Sequence, residues 1–182
     1  MEAREPDPVK LVAGILYSDP ERLDRCRDLL RIRFGPMDFQ SKVFPFDVTD
    51  YYVPEMGSPI FRLFVSFERL VHARDLAKIK IETNGIESEL SKDGRRRVNI
   101  DPGIMDCDKV VLASAKYNGQ KIYLDLGIWA DLTLHYTKGR FEPYPWSFPD
   151  FQKGLYETVF LDIRQLFKKQ RKKDLDKHGK SC

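Results

Sequence analysis

The segment from Lys10 to Tyr17, KLVAGILY, carries apolar residues at both odd and even positions. Successive residues of a strand point to opposite faces of a sheet, so such a segment reads as a central strand covered on both sides. The rest of the chain must supply that cover. Its 182 residues suffice, since a domain of this size buries roughly 70% of its unfolded surface.

The elements needed follow in order. Ser18-Asp19-Pro20-Glu21 is a helix start of capping-box type and Gly35-Pro36 a stop, with Leu23, Cys26, Leu30 and Phe34 on one helical face between them. Phe39 to Phe46 reads as a strand, and Ile60 to Phe67 as an alternating strand whose core face is Phe61, Leu63, Val65 and Phe67. Leu76, Ile79, Thr83, Ile86 and Leu90 have the spacing of a second amphipathic helix, and Arg95 to Asp101 is the next strand. Strand, helix, strand, strand, helix, strand is the order of a ferredoxin-like split βαβ core with an antiparallel sheet, so the fold class is α+β.

Beyond Asp101-Pro102-Gly103 the pattern predicts an extension. A short helix is expected over Asp106 to Ala115, although Val110-Val111-Leu112 is also compatible with a strand. A hairpin follows around Gly127, from Lys121 to Asp125 and from Ile128 to Tyr136. A long helix from Pro149 to Lys172 carries Phe151, Leu155, Val159, Ile163 and Leu166 as its apolar stripe. This C-terminal third is expected to cover the sheet face that the first two helices leave open.

A single domain over residues 9–172 is expected, with residues 1–8 and the basic tail 173–182 disordered. Apolar residues at 42% and charged residues at 32% are globular values. The N-terminus lacks an apolar secretory segment and no run approaches the ~18 apolar residues of a membrane span, so a cytoplasmic location is expected. Cys26, Cys107 and Cys182 are widely spaced and odd in number, which suits reduced thiols better than a disulfide framework or a zinc site. The net charge of +3 is concentrated in the Lys- and Arg-rich stretch from Lys168 onward. A solvated helix end explains that stretch better than a nucleic-acid site.

Four ordered stretches resemble one known family. They are Phe44-Pro45-Phe46-Asp47 with Thr49-Asp50-Tyr51-Tyr52, Arg97 through Gly103, Ile122-Tyr123-Leu124 with Gly127-Ile128, and Trp146-Ser147-Phe148-Pro149-Asp150. Together they look like the prokaryotic domain of unknown function 4416, over about Pro8 to Lys172. Members are sometimes labelled GTP-binding, but this chain has no GxxxxGK[ST] loop to cradle phosphates. The family more often has a His-Arg pair ahead of the Ile-Tyr-Leu strand, where this chain has Gln120-Lys121.

Two groups of residues could carry chemistry. With Val98 and Ile100 claimed by a core, Arg97, Asn99 and Asp101 share the other face, about 6.6 Å apart. They form either an anion and hydroxyl site or a solvated edge with a turn cap. In the hairpin, Trp129, Asp131, Thr133 and His135 oppose Ile128, Ala130, Leu132 and Leu134, and Lys121, Tyr123 and Asp125 oppose Ile122 and Leu124. Keeping these faces apart demands an odd loop or a bulge near Gly127, which would set Tyr123 beside Asp131. Asp131 and His135 lie about 13 Å apart along the strand, too far to share one ion. The loop Asp47, Asp50, Tyr51, Tyr52 is the second candidate, either as an acid/base or Mg²⁺-holding pair or as Asx-turn residues.

The expected ligand is therefore a small anionic metabolite or nucleotide, with Arg97, Lys116 and Lys121 supplying charge and Asn99, Asp101 and Asp131 orientation. No cofactor or metal is expected, and Mg²⁺ enters only with a phosphate ligand. The alternatives are an RNA- or ribonucleoprotein-associated module and a protein-interaction module without a small ligand. The K/R-G-F/Y-type motif of RNA-binding sheets is absent. Neither the reaction nor the oligomeric state is specified by the sequence.

Overall fold

The computed structural model describes residues 2–178, so Lys180 and Cys182 lie outside the described residues. Strand β1 (Val9–Tyr17) is buried at all nine positions. It lies between two antiparallel neighbours, Phe61–Val71 on one side and Val98–Met105 on the other.

In chain order the elements are β1, α1 (Pro20–Phe34), β2 (Met37–Gln40), β3 (Phe44–Pro45), α2 (Val53–Met56), β4 (Phe61–Val71), α3 (Leu76–Glu89), β5 (Val98–Met105), β6 (Lys109–Ser114), β7 (Ile122–Asp125), β8 (Ile128–Thr137), β9 (Arg140–Pro143), α4 (Pro149–Gln152) and α5 (Glu157–His178). The nine strands form one sheet in the order β2-β4-β1-β5-β6-β8-β7, with β3 on β4 and β9 on β8. Every strand pair in it is antiparallel. None of the described helices is long and apolar enough to cross a membrane.

Helix α1 starts where Asp19 accepts hydrogen bonds from the N–H groups of Glu21 and Arg22 and stops at Gly35, whose φ is 91°. Its buried face is Leu23, Cys26, Leu30 and Phe34, as the spacing predicts. Burial pushes the Cys26 thiol up to about 12. With α3 this helix covers the sheet face formed by Leu11, Ala13, Ile15, Leu63, Val65, Val98 and Ile100. The opposite face is covered by α4 and α5, where Val12, Phe64, Met105 and Leu112 pack against Phe151, Tyr156, Phe160 and Ile163. A smaller apolar group around α2 joins Leu16, Phe46, Met56 and Ile60.

Several expected boundaries are corrected. The segment Asp106 to Ala115 is not a helix: Asp106 accepts from the N–H groups of Asp108 and Lys109, both at 2.8 Å, which closes a hairpin turn into β6. The β-branched run Val110-Val111 then sits in a sheet covered on both faces, where strand packing outweighs helix spacing. Pro102-Gly103 does not end the preceding strand but lies inside β5, which begins at Val98 rather than Arg95. Phe39 to Phe46 is interrupted where Ser41 turns its backbone N–H and its Oγ to the backbone of Phe64, both at 2.9 Å.

The final helix is two helices. The chain breaks at Gly154, with φ 69°, so α5 restarts in a new phase. Val159, Phe160, Ile163 and Phe167 become its buried stripe, with Tyr156 buried just ahead of it, while Leu155 is exposed. α5 also continues past Lys172 to His178. Within it, Gln170 Oε1 accepts from the buried Lys10 Nζ at 2.7 Å, and Gln170 Nε2 donates to Glu68 O at 2.9 Å. At Gln170 this helix is therefore part of the packed body, not only a solvated extension.

Two stability outcomes are expected. A Cβ at position 103 would lie 2.7 Å from Val111 O, so Gly103→Ala should cost roughly 1–3 kcal/mol in urea denaturation. Gly119→Ala, with nothing within 4 Å, should be near neutral. Ending the chain after Lys169 should lower stability by roughly 1–3 kcal/mol, because the buried Lys10 ammonium loses its Gln170 acceptor. Ending it after Lys173 should not.

Candidate functional site

Arg62 stands on the sheet face covered by α4 and α5 and is only 5% exposed. Its Nη1 donates to Asp150 Oδ2 at the start of α4, and its Nη2 lies 3.5 Å from Asp101 Oδ2 on β5. The guanidinium carbon is 4.7 Å from the centre of the Phe46 ring. Tyr156 completes the group by donating its hydroxyl to Asp150 Oδ2 at 2.9 Å. Two atoms of this group, Arg62 Nε and Asp150 Oδ1, are buried without a hydrogen-bond partner.

The polar contacts continue along β5. Asn99 Nδ2 donates to Asp101 Oδ1 at 3.1 Å, and Arg96 Nη1 donates to Asn99 Oδ1 at 2.9 Å. Arg96 also holds Glu55 by a two-pronged pair, Nε to Oε1 and Nη2 to Oε2, each at 2.7 Å. Its Nη1 reaches Glu87 Oε2 on α3 at 3.3 Å. Glu87 Oε1 in turn accepts from Ile100 N at 2.7 Å and lies 3.6 Å from Lys80 Nζ, which donates to Ile100 O at 2.7 Å. One chain of charged and polar groups thus runs from α3, across β5, to α4.

This chain fixes the electrostatics of its members. The bonds from Arg96 hold the Glu55 carboxyl below its ordinary range against the opposing effect of partial burial. Burial raises the Glu87 carboxyl, with Lys80 and Ile100 N pulling the other way. Burial and then the nearby Asp101 charge push the Tyr52 hydroxyl up to about 12, so it is a neutral donor at physiological pH.

The loop carrying Tyr51 and Tyr52 lies at one end of this chain. The rings of the two tyrosines meet edge to face at 5.0 Å. Lys116 sits 4.1 Å above the Tyr51 ring and donates to its hydroxyl. Asp47 and Asp50 are both exposed. Among the described residues no group of three His, Cys, Asp or Glu side chains is placed to hold a metal ion.

The residues singled out by the sequence are divided rather than gathered into one concave surface. Asn99 and Asp101 belong to the chain just described, Asn99 buried and the Asp101 side chain 27% exposed. Arg97 turns aside and donates to Met56 O at 3.3 Å. Lys121 and Asp131 form a buried pair of their own at 3.2 Å, with Lys121 also donating to Ser114 Oγ at 2.9 Å. Thr133 is buried and donates to Asp131 O. Asp131 and Thr133 are therefore buried rather than turned to solvent.

Tyr123 is not beside Asp131: it pairs with Trp129, their rings 5.1 Å apart. The turn has Leu126 and Gly127 at φ 54° and 73°, and Asp125 accepts from Leu126 N. The bulge that the pattern demanded falls on β7, between Tyr123 and Asp125. His135 is remote from these groups, 3.6 Å from Glu142 and against the Tyr144 ring.

Arg62, Arg96, Glu55 and Glu87 carry no mark in the sequence reading, and Asp150 enters it only as the last residue of the Trp146–Asp150 stretch. Arg62 had one legible signal: in a sheet covered on both faces, the non-core parity of Ile60 to Phe67 is also interior. The others depend on side chains meeting across long sequence separations.

Fold and site together define an α+β protein with a single antiparallel sheet, two helical layers and a buried polar chain opening beside an aromatic loop. The chain belongs to the family described as domain of unknown function 4416, whose model matches residues 7–167. No curated protein and no solved structure matches it.

Removing the Arg62 side chain leaves the buried Asp150 carboxylate without its cation. Arg62→Ala should cost about 3–5 kcal/mol in chemical denaturation. Replacing both members, as Arg62→Met with Asp150→Asn, should recover a measurable part of that loss, which a purely steric role of Arg62 would not allow.

Proposed function

We propose that the protein is a binding protein or small enzyme for a small anionic metabolite or nucleotide, held where the Asp47–Met56 loop meets the open end of β5. The observation that carries this reading is the meeting of two separately chosen stretches: Glu55 of the loop holds Arg96, and Tyr51 meets Lys116. Lys116 and Arg97 supply the charge. Neither is held in an ion pair among the described residues, whereas Lys121 already has Asp131. Asp101 and the neutral Tyr52 hydroxyl offer an acceptor and a donor to ligand hydroxyls. Mg²⁺ belongs to this reading only as the companion of a phosphate.

Finer features of the fold belong to the same proposal. The order β2-β4-β1-β5, with α1 leading from β1 to β2 and α3 from β4 to β5, supports a ferredoxin-like split βαβ core to which β6–β9 are added. RNA-binding sheets of that architecture read bases on an open face. Here α4 and α5 occupy that face, which favours a small ligand at the sheet end. The free Cys26 and Cys107 thiols support a reducing, cytoplasmic setting.

The test is a thermal-shift and calorimetric series with inorganic phosphate, sugar phosphates and nucleoside mono- and triphosphates, each with and without Mg²⁺. One of these anions should stabilise the protein by about 2.7 kcal/mol at 100 times its dissociation constant. Arg97→Ala and Lys116→Ala should each weaken it tenfold or more while leaving the melting temperature of the free protein nearly unchanged. No stabilisation by any anion, or stabilisation indifferent to both substitutions, would refute the site.

A further inference from the structure

Strands β5 and β6 separate beyond the pairing of Gly103 with Leu112, and the registers on either side fix which residues face the gap. Gly14 on β1 is level with both Phe64 and Asp101, so Asp101 lies on the sheet face covered by α4 and α5. Gly103, two residues on, is level with Leu112, which is level with Asp131 on β8. Two residues further along β6, Ser114 is level with Trp129, and Trp129 is level with Tyr123 on β7. Steps of two along a strand keep to one face. Asp101, Ser114, Trp129 and Tyr123 therefore form one row on one face, broken between Asp101 and Ser114, where no ladder joins the strands. The bulge in β7 lies beyond Tyr123 and leaves this row intact.

The far bank of the gap is aromatic. Tyr117 and Tyr123 meet the half-buried Trp129 edge to face, with ring centres 5.0 and 5.1 Å away. None of the three belongs to the buried core. Tyr117 is 70% and Tyr123 54% exposed. An edge-to-face contact uses at most one face of a ring, so each tyrosine keeps an open face. The bank is also firmly placed. Lys121 Nζ lies 3.2 Å from Asp131 and donates to Ser114 Oγ at 2.9 Å and to Lys116 O at 3.3 Å, which ties the turn after β6 to the hairpin. That turn presents Lys116 to the Tyr51 ring and the next residue, Tyr117, to Trp129. One peptide unit thus joins the charge of the loop site to the aromatic bank.

We propose that the site takes a nucleoside monophosphate, with its phosphate at Lys116 and Arg97 and its base stacked on the bank of Tyr117, Trp129 and Tyr123. This rests on the anion site proposed above and narrows its ligands to those in which the anion is joined to a planar ring. The ribose then lies over the gap, where Asp101, across from the bank, accepts from its hydroxyls. Stacking on aromatic side chains admits any base, because every base has a π face. A simple sugar phosphate would meet the charge and leave the bank uncovered. A triphosphate would find no glycine-rich loop to hold its further phosphates.

The test is isothermal titration of the full chain with AMP, UMP and ribose 5-phosphate. AMP and UMP should each bind at least tenfold more tightly than ribose 5-phosphate. Both should quench the fluorescence of Trp129, read in a Trp146→Phe variant, since the chain has two tryptophans. Tyr117→Ala should bring AMP and UMP down to the affinity of ribose 5-phosphate and leave that affinity unchanged. Tyr117→Phe, which keeps the ring, should preserve the preference, and Lys116→Ala should weaken all three ligands. Nucleotides bound no more tightly than ribose 5-phosphate, a preference undiminished by Tyr117→Ala, or binding without quenching of Trp129 would each overturn the base site and leave the anion site standing. Binding of none of the three would overturn both.

Discussion

A sheet covered on both faces leaves little room for charge, yet an arginine stands in the middle of the second face. Arg62 on β4 reaches Asp101 on β5 and Asp150 on α4 within one aromatic enclosure of Phe46, Phe64, Phe151 and Tyr156. Desolvating such ions costs several kcal/mol each unless the geometry is well satisfied. The planar fork of Arg62 meets two carboxylates from different parts of the chain at once. A shift of α4 along the sheet would separate Arg62 from Asp150 in a buried setting, so this contact fixes how the C-terminal third lies on the sheet more narrowly than apolar packing would.

The same logic governs the place where the sheet divides. β6 pairs with β8 along its whole length but with β5 only at Gly103–Met105. Ahead of that point the N–H and C=O of Ile100 face away from β1 and have no strand beside them. Glu87 and Lys80, two turns apart on α3, accept from the one and donate to the other. A buried ion pair thus takes the place of a missing strand at Ile100, whose backbone N–H and C=O are both paired. Glu87 then contacts Arg96, which ties this repair to the loop through Glu55. The loop that defines the candidate site is consequently anchored to the sheet by the device that completes the sheet.

What the sequence disclosed follows from periodicity. The double-faced apolar pattern of β1, the cap and stop of α1, and the Gly127 hairpin are local signals, and each was legible. Segment 106–115 was not, because a short run such as Val110-Val111-Leu112 satisfies helix and strand alike, and only its neighbours β5 and β8 decide. The phase of α5 was hidden for a similar reason: the break at Gly154 resets the stripe, and a helix pattern read through it places Leu155 inside. Of the polar chain and the loop beside it, Asn99, Asp101, Tyr51 and Tyr52 are marked in the sequence by strand parity and an aromatic loop. Arg62 and Asp150 are 88 positions apart, and no periodicity connects them.

The distribution of charge separates structural cations from those available to a ligand. Lys10, Arg62, Lys80, Arg96 and Lys121 are each matched to a carboxylate inside the protein. Replacing one of them would leave an uncompensated buried acid, so a change in ligand response there could not be told from loss of the fold. Arg97 and Lys116 are different. They are flanked by a backbone carbonyl and an aromatic ring, so their charge is directed but not neutralised. An anion beside them would gain attraction without first displacing an acidic partner, and the fixed members of the polar chain, Asp101 above all, would orient it rather than hold it.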